Sequence, residues 1–240
     1  MEIVTSRDFN LIDYPGRVSS MVFCPGCNFS CPACHAALIL KERKRMPEDN
    51  VLKSMGLQNR WIDGLVICGG EPTLQKDLLQ FAEKIKKQGY SIKLDTNGSN
   101  PEILSEALEK RLFDYVAMDV KGPENLYLKI CGTDVNMDDI KKSMILTSKF
   151  PDYEFRTTVV PVYKNEEPEF MNLEDIAKTA KIIKDITSSD SHKYFLQKFV
   201  PIKGNLLDPR LEQFPETPRK LMEDMLIEAK RYIPKTELRY

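Results

Sequence analysis

Short runs rich in β-branched residues alternate with longer stretches of helical apolar spacing along nearly the whole chain, and few folds accept that alternation. Strands are expected at "RVSSMVF" (17–23), "GLVICG" (64–69), "SIKLDT" (91–96), "YVAMDV" (115–120), "EFRTTVV" (154–160) and "KYFLQKF" (193–199). Helical periodicity marks "LLQFAEKIKKQG", "PEILSEALEKRL", "MDDIKKSMILTSKF", "NLEDIAKTAKIIKDI" and "PRKLMEDMLIEAKRY". Strand, helix, strand, repeated, calls for a parallel sheet covered by helices. About six such units fit, short of the eight of a closed (β/α)8 barrel. The expected fold is therefore α/β, a partial, open (β/α)6 TIM-like barrel. At 240 residues the chain reads as one domain over 1–240, with residues 1–16 an N-terminal extension able to form a hairpin. The segment 161–170, "PVYKNEEPEF", is expected as a surface loop.

Charge and targeting signals narrow the environment. The 35 basic and 36 acidic residues are interspersed and leave a net charge of -1, so nothing points to a nucleic-acid partner. "MEIVTSRDFNLIDYPGR" has neither a basic n-region nor an apolar h-region, and no run nears the roughly eighteen apolar residues of a membrane span. No membrane association and a cytoplasmic location are the expectation, and thiols stay reduced there. Six cysteines, four of them in "FCPGCNFSCPACH" (23–35), then read as ligands rather than disulfides.

Zinc, disulfides and an iron–sulfur cluster compete for that loop. Structural zinc usually takes two Cys-x2-Cys knuckles a dozen or more residues apart, whereas Cys27 and Cys31 are separated by only three residues. The larger cube of an iron–sulfur cluster suits thiolates spread along one short loop, with Cys27, Cys31 and Cys34 as the ligand pattern.

Polar residues gather where the expected strands end, the place where parallel α/β folds collect their function. Cys24 to Cys34 follow the first strand, Gly69, Gly70 and Glu71 the second, and Asp95, Thr96, Asn97 and Gly98 the third. Asp119 and Lys121 lie at the fourth, two apart on one side, and Arg156 to Thr158 in the fifth. Two glycines permit close backbone approach to a ligand, and Glu71 offers an anion to an ammonium. Each segment also has a plain reading: turn and cap chemistry for "DTNGSNP", an ion pair for Asp119 and Lys121, a surface-facing strand residue for Arg156.

"GCNFSCPACH" resembles the cluster loop of the radical S-adenosylmethionine (SAM) enzymes. That resemblance implies a [4Fe–4S] cluster held by Cys27, Cys31 and Cys34, with the fourth iron left to SAM. Cys24 then reads as a core thiol at a strand end. Ala33 departs from the family, which usually has an aromatic residue before the last cysteine. "GGEP" after the second strand resembles the motif that meets the SAM amino group. The "DTNG" and "MDVK" segments resemble those of glycyl-radical-enzyme activases, which implies SAM contacts for Asp95, Thr96, Asn97, Asp119 and Lys121, sometimes with a monovalent cation. Arg156 similarly resembles a SAM-pocket arginine. "FNLIDYPGRVSSMVFCPGCNFSCPACH", "YFLQKFVP" and "NLLDP" extend the likeness from Asp13 to about Pro209, toward the activating proteins of anaerobic ribonucleoside-triphosphate reductase.

The implied activity is reductive cleavage of SAM, with electrons from flavodoxin or ferredoxin, followed by removal of a glycine Cα hydrogen from a glycyl-radical-enzyme client. A radical SAM reaction on a small molecule in nucleoside or cofactor synthesis shares the same cofactor residues. A non-catalytic zinc or iron–sulfur module would leave Glu71, Asp95, Asp119 and Lys121 without a reason to converge. Plain roles are expected elsewhere: a hydrogen bond or solvent for His35, a loop for His192, a solvated helix face for "LKERKR" (40–45), isolation for Cys131.

Overall fold

The computed structural model describes residues 1–57, 60–164 and 167–240. Six of its strands are those expected above: β2 (Ser19–Cys24), β3 (Gly64–Gly69), β4 (Ser91–Thr96), β5 (Tyr115–Asp119), β6 (Asp152–Val159) and β9 (Tyr194–Lys198). They pair in parallel, in chain order. β1 (Thr5–Asn10), from the N-terminal segment, adds an antiparallel edge to β2. At the far side β10 (Thr236–Arg239) pairs in parallel with β9. The eight-stranded sheet runs from β1 to β10 and no ladder joins those two strands among the described residues, which leaves the barrel open.

Helices α3 (Leu78–Lys87), α4 (Pro101–Glu109), α6 (Met137–Thr147), α7 (Leu173–Thr187) and α8 (Arg219–Lys230) cover the outer face. Their apolar stripes explain this. α3 buries Leu78, Phe81, Ala82 and Ile85 against Ile92 and Leu94 of β4, each large apolar side chain contributing about 1.5–3 kcal/mol. α7 starts at a capping box in which Asn172 and Asp175 each accept the other's backbone N–H at 2.9 Å. Three further helices, α1 (Ala37–Lys41), α2 (Glu48–Leu57) and α5 (Glu124–Cys131), were not marked by the periodicity.

Two expectations fail. Segment 161–170 is an antiparallel ribbon, β7 (Pro161–Lys164) with β8 (Glu167–Phe170), rather than a loop; Asn165 and Glu166 lie outside the described residues. The ribbon forms because it has a face to bury: Val162 is buried and Phe170 packs edge-on against Phe214 at 5.0 Å. The basic run 40–45 is not one helix face. α1 stops at Lys41, Glu42 is extended, and Met46 bridges to Ile3, which draws 42–45 out along the N-terminal segment with Arg45 paired to Glu2 at 3.0 Å.

Inside the barrel the usual alternation is inverted. On β4 and β6 the apolar residues face the helices, while Lys93, Asp95, Glu154 and Arg156 point inward. Met21, Val66, Cys68, Tyr115 and Ala117 form the apolar part of the interior, with Tyr14 among them. Tyr14 lies under Gly64, where a Cβ would come within 3.0 Å of its ring, and so closes the end opposite the cysteine loop.

Candidate active site

The loop from Pro25 to Ala36 has no regular hydrogen-bonded structure of its own and is held from outside. Gly70 and Glu71 donate their N–H groups to the carbonyls of Cys24 and Gly26 at 2.9 and 2.8 Å. Ser30 N–H donates to Cys131 O at 2.8 Å and Asp208 N–H to Pro32 O at 3.0 Å. Glycine is required at the first crossing: a Cβ on Gly70 would stand 1.7 Å from Gly26 O, and Gly69 has φ +113 with its Cβ position 2.4 Å from Cys24 N.

Cys27, Cys31 and Cys34 emerge from this loop as free, half-buried thiols lining one cavity of about 280 Å³. Each sulfur has a donor aimed at it. Phe29 N–H donates to Cys27 Sγ at 3.4 Å and Ala36 N–H to Cys34 Sγ at 3.4 Å. The Cys131 thiol hydrogen-bonds Cys31, which pulls Cys31 down and pushes Cys131 up. Burial pushes Cys27 up to about 11 and raises Cys34 as well. Three thiols turned to one cavity, each with a hydrogen-bond donor at its sulfur, form a donor set that fits an iron–sulfur cluster. Cys24, by contrast, is wholly buried among the residues packed outside the sheet, and burial pushes its thiol up to about 12.

The opposite wall is made by strand ends. Glu71 is 1% exposed. Its Oε1 accepts from Thr73 N–H at 3.1 Å, Thr73 Oγ1 at 2.7 Å and Thr96 Oγ1 at 2.7 Å, and its Oε2 from Asn97 N–H at 2.7 Å. Burial pushes this carboxyl up and the four hydrogen bonds oppose it. Oε2, with one donor, keeps the capacity to accept another. Asn97 ties this wall to the loop by donating to Asn28 Oδ1 at 3.0 Å.

Beside it stands a chain of charges. Asp119 pairs through Oδ2 with Lys121 at 2.8 Å and through Oδ1 with Arg156 Nε at 2.9 Å. Asp95 pairs through Oδ2 with Arg156 Nη1 at 3.1 Å and through Oδ1 with Lys93. Burial alone would raise both carboxyls, but Arg156 with Lys121 or Lys93 outweighs it and holds both below the usual range. Every carboxylate oxygen of this pair therefore meets a basic side chain of the protein.

All twelve residues singled out in the sequence line this one cavity: Cys27, Cys31 and Cys34, Gly69, Gly70 and Glu71, Asp95, Thr96 and Asn97, and Asp119, Lys121 and Arg156. Ala33 lines it as well, with Phe29, Leu40, Ile130 and Val160 supplying apolar wall. His35 also lines it, stacked on Phe199 at 5.6 Å with Nε2 2.8 Å from Val200 O. His192 sits in the loop between α7 and β9, as expected, and is buried there between Tyr153 Oη at 2.8 Å and Thr187 Oγ1 at 2.6 Å. Sequence reasoning missed Lys93, Glu154, Arg239 and the contact of Cys131.

A family model described as "Radical SAM superfamily" matches residues 21–174, from β2 into α7. The chain belongs to the radical SAM superfamily. It is a radical SAM enzyme, and the cofactors of that family are a [4Fe–4S] cluster and SAM. This radical SAM chain is 34% identical over 239 residues to the "Putative glycyl-radical enzyme activating enzyme" of Methanocaldococcus jannaschii, covering 97% of this chain and 93% of that protein. It is 25% identical over 190 residues to the pyruvate formate-lyase-activating enzyme of Streptococcus mutans, covering 74% and 72%. Among solved structures, Streptococcus suis SuiB bound to its precursor peptide SuiA superposes with a TM-score of 0.66 at 13% identity, over 89% of this chain and 46% of SuiB. That last likeness is one of fold. Among the described residues no helix is long and apolar enough to cross a membrane.

Proposed function

We propose that this radical SAM chain is a glycyl-radical-enzyme activase, that its client is the anaerobic ribonucleoside-triphosphate reductase, and that a flavodoxin or ferredoxin supplies its electrons. The observation that carries the reading is the likeness to an activating-enzyme relative over nearly the full length of both chains. Support also comes from the cavity, where three free thiols face a wall of Glu71, Asp95, Asp119, Lys121 and Arg156.

Cys27, Cys31 and Cys34 are the cluster ligands in this reading. Bound there, the cluster would supply the one electron that cleaves SAM into methionine and a 5'-deoxyadenosyl radical, and that radical would take a hydrogen atom from a glycine Cα of the client to end as 5'-deoxyadenosine. The chain's own residues orient SAM. Glu71 Oε2 accepts from the ammonium, and the Gly69–Gly70 backbone approaches it without a Cβ in the way. Lys121 meets the carboxylate, for which Asp119 already holds its ammonium at the cavity. A monovalent cation would have to share Asp95 and Asp119 with Arg156, which spans both. Apolar wall from Phe29, Ile130 and Val160 excludes water, and the unclosed edge between β1 and β10 leaves a way in for a backbone segment of the client.

The test combines anaerobically reconstituted protein, reduced flavodoxin and SAM with the anaerobic reductase. A glycyl-radical doublet in the electron paramagnetic resonance spectrum of the reductase, with 5'-deoxyadenosine formed alongside, is expected. SAM cleavage without a radical on the reductase would remove that client.

A further inference from the structure

Arg239 lies on β10, outside the cavity lining, and carries no motif. Its guanidinium sits 4.0 Å from the ring centre of Phe195 and makes a two-point pair with Glu154, Nη1 to Oε1 at 2.9 Å and Nη2 to Oε2 at 3.0 Å. Glu154 is 0% exposed and accepts a third hydrogen bond, from Tyr115 Oη at 2.7 Å. The same Oε1 stands 3.9 Å from Nη1 of Arg156. Arg156 thus has three carboxylates around it and is engaged by the two nearest the cavity, Asp95 and Asp119.

We infer that Arg239 is a positioning residue for Arg156: by occupying both oxygens of Glu154 it keeps that carboxylate from drawing Arg156 away from Asp95 and Asp119. This rests on the reading of Arg156 as a SAM-pocket residue. The physical reason is the cost of a lone buried charge. Glu154 is buried beneath Arg239, so loss of that guanidinium leaves its carboxylate short of a cation and drawn to the next one. The nearest is Arg156, 3.9 Å away. Asp119 and Asp95 hold Arg156 at 2.9 and 3.1 Å, so Glu154 competes with them for it, and Lys93 and Lys121 keep both aspartates paired to the extent that it moves. Arg239 suits the task because a planar guanidinium meets both oxygens at once and stacks on the Phe195 ring. Burial would raise Glu154, and the hydrogen bonds from Arg239 and the charge of Arg156 outweigh it.

The experiment measures the SAM dissociation constant of cluster-loaded protein by equilibrium dialysis, for Arg156→Ala, Arg239→Ala, and Arg239→Ala with Glu154→Gln. Arg239→Ala is expected to weaken SAM binding about tenfold. Adding Glu154→Gln removes the competing charge and is expected to restore binding to within about threefold of wild type. A mere clamp on β10 would not be rescued in this way, so a double variant as weak as Arg239→Ala overturns the inference. So does Arg239→Ala that binds SAM normally while Arg156→Ala does not. If Arg156→Ala itself binds SAM as wild type does, the SAM-pocket reading of Arg156 falls first and this inference with it. Should Arg239→Ala fail to hold its cluster, Arg239→Lys carries the same comparison, since a lysine cannot make the two-point contact.

Discussion

The cysteine loop and the charged interior of β4 to β6 face each other across one cavity and are built on opposite plans. The loop has no regular structure from Pro25 to Ala36, is pinned through its backbone, and leaves the thiols of Cys27, Cys31 and Cys34 free. The strand wall is rigid, and its charges are saturated: each carboxylate oxygen of Asp95 and Asp119 has a basic partner. The contrast follows from what each side receives. Ligands to an inorganic cluster must be open until it arrives, whereas groups that orient a charged organic molecule work best when their own directions are already fixed.

Emptying the open side has the largest effect. Replacing Cys27, Cys31 and Cys34 together by alanine should abolish iron and sulfide incorporation and lower 5'-deoxyadenosine formation at least about a thousandfold. Folding stability of the cluster-free protein should change little, within about 1 kcal/mol, because these thiols are only half buried. Metal analysis, product assay and urea denaturation on the same samples check this. A cluster that still forms in the triple variant would move ligation to Cys24 or Cys131.

Next comes the crossing that joins the two sides. Gly70→Ala puts a methyl 1.7 Å from Gly26 O, a backbone atom that cannot swing aside. A loss of about 2–3 kcal/mol in urea denaturation is expected, larger than any cysteine substitution causes, together with a displaced loop. Equal stability of Gly70→Ala and wild type would mean that the loop is not fixed by this contact.

The saturated side should respond in affinity rather than in fold. Lys121→Met removes one of the two partners of Asp119 and leaves Arg156 in place. About a tenfold weaker SAM dissociation constant is expected, with iron content unchanged. Lost iron would place Lys121 on the cluster's side of the cavity instead.

This difference in plan also decides what the sequence revealed. The six parallel strands were legible as short β-rich runs set between stretches of helical apolar spacing. The cysteines were legible from their spacing together with the family resemblance of the loop, which set Cys24 apart from Cys27, Cys31 and Cys34. Lys93 and Glu154 escaped notice because a charged residue inside a strand is normally read as solvent-facing, whereas here the polar parity points into the barrel. The signal was present: Lys93 shares its face with Asp95, and Glu154 shares its face with Arg156 and Thr158. Arg239 and Cys131 gave no such signal. Their contacts with Glu154 and Cys31 span 85 and 100 residues of chain and exist only once β10 and α5 have docked.

The smallest effect lies in the helical layer outside both regions and tests whether the contrast belongs to the cavity alone. His192 packs edge-on against Phe155 at 5.3 Å, behind the strand that carries Arg156 inward, and burial holds its imidazole below the usual value. A base whose folded pKa is lowered binds its proton more weakly in the folded state than in the unfolded one. Stability is therefore greatest above the unfolded value of about 6.5 and falls as pH drops below it, by at most about 1.4 kcal/mol per pH unit. Urea denaturation of the cluster-free protein at pH 7.5 and about pH 5.5 should show this slope, and His192→Gln should flatten it. Asp95 and Asp119, with lowered pKa values, add nothing in this window, because an acid held down loses its contribution only as pH falls below about 3.9. A slope that persists unchanged in His192→Gln would assign the proton to another group with a lowered pKa, either His35 beside the cavity or Cys31, which the Cys131 thiol brings down to about 7.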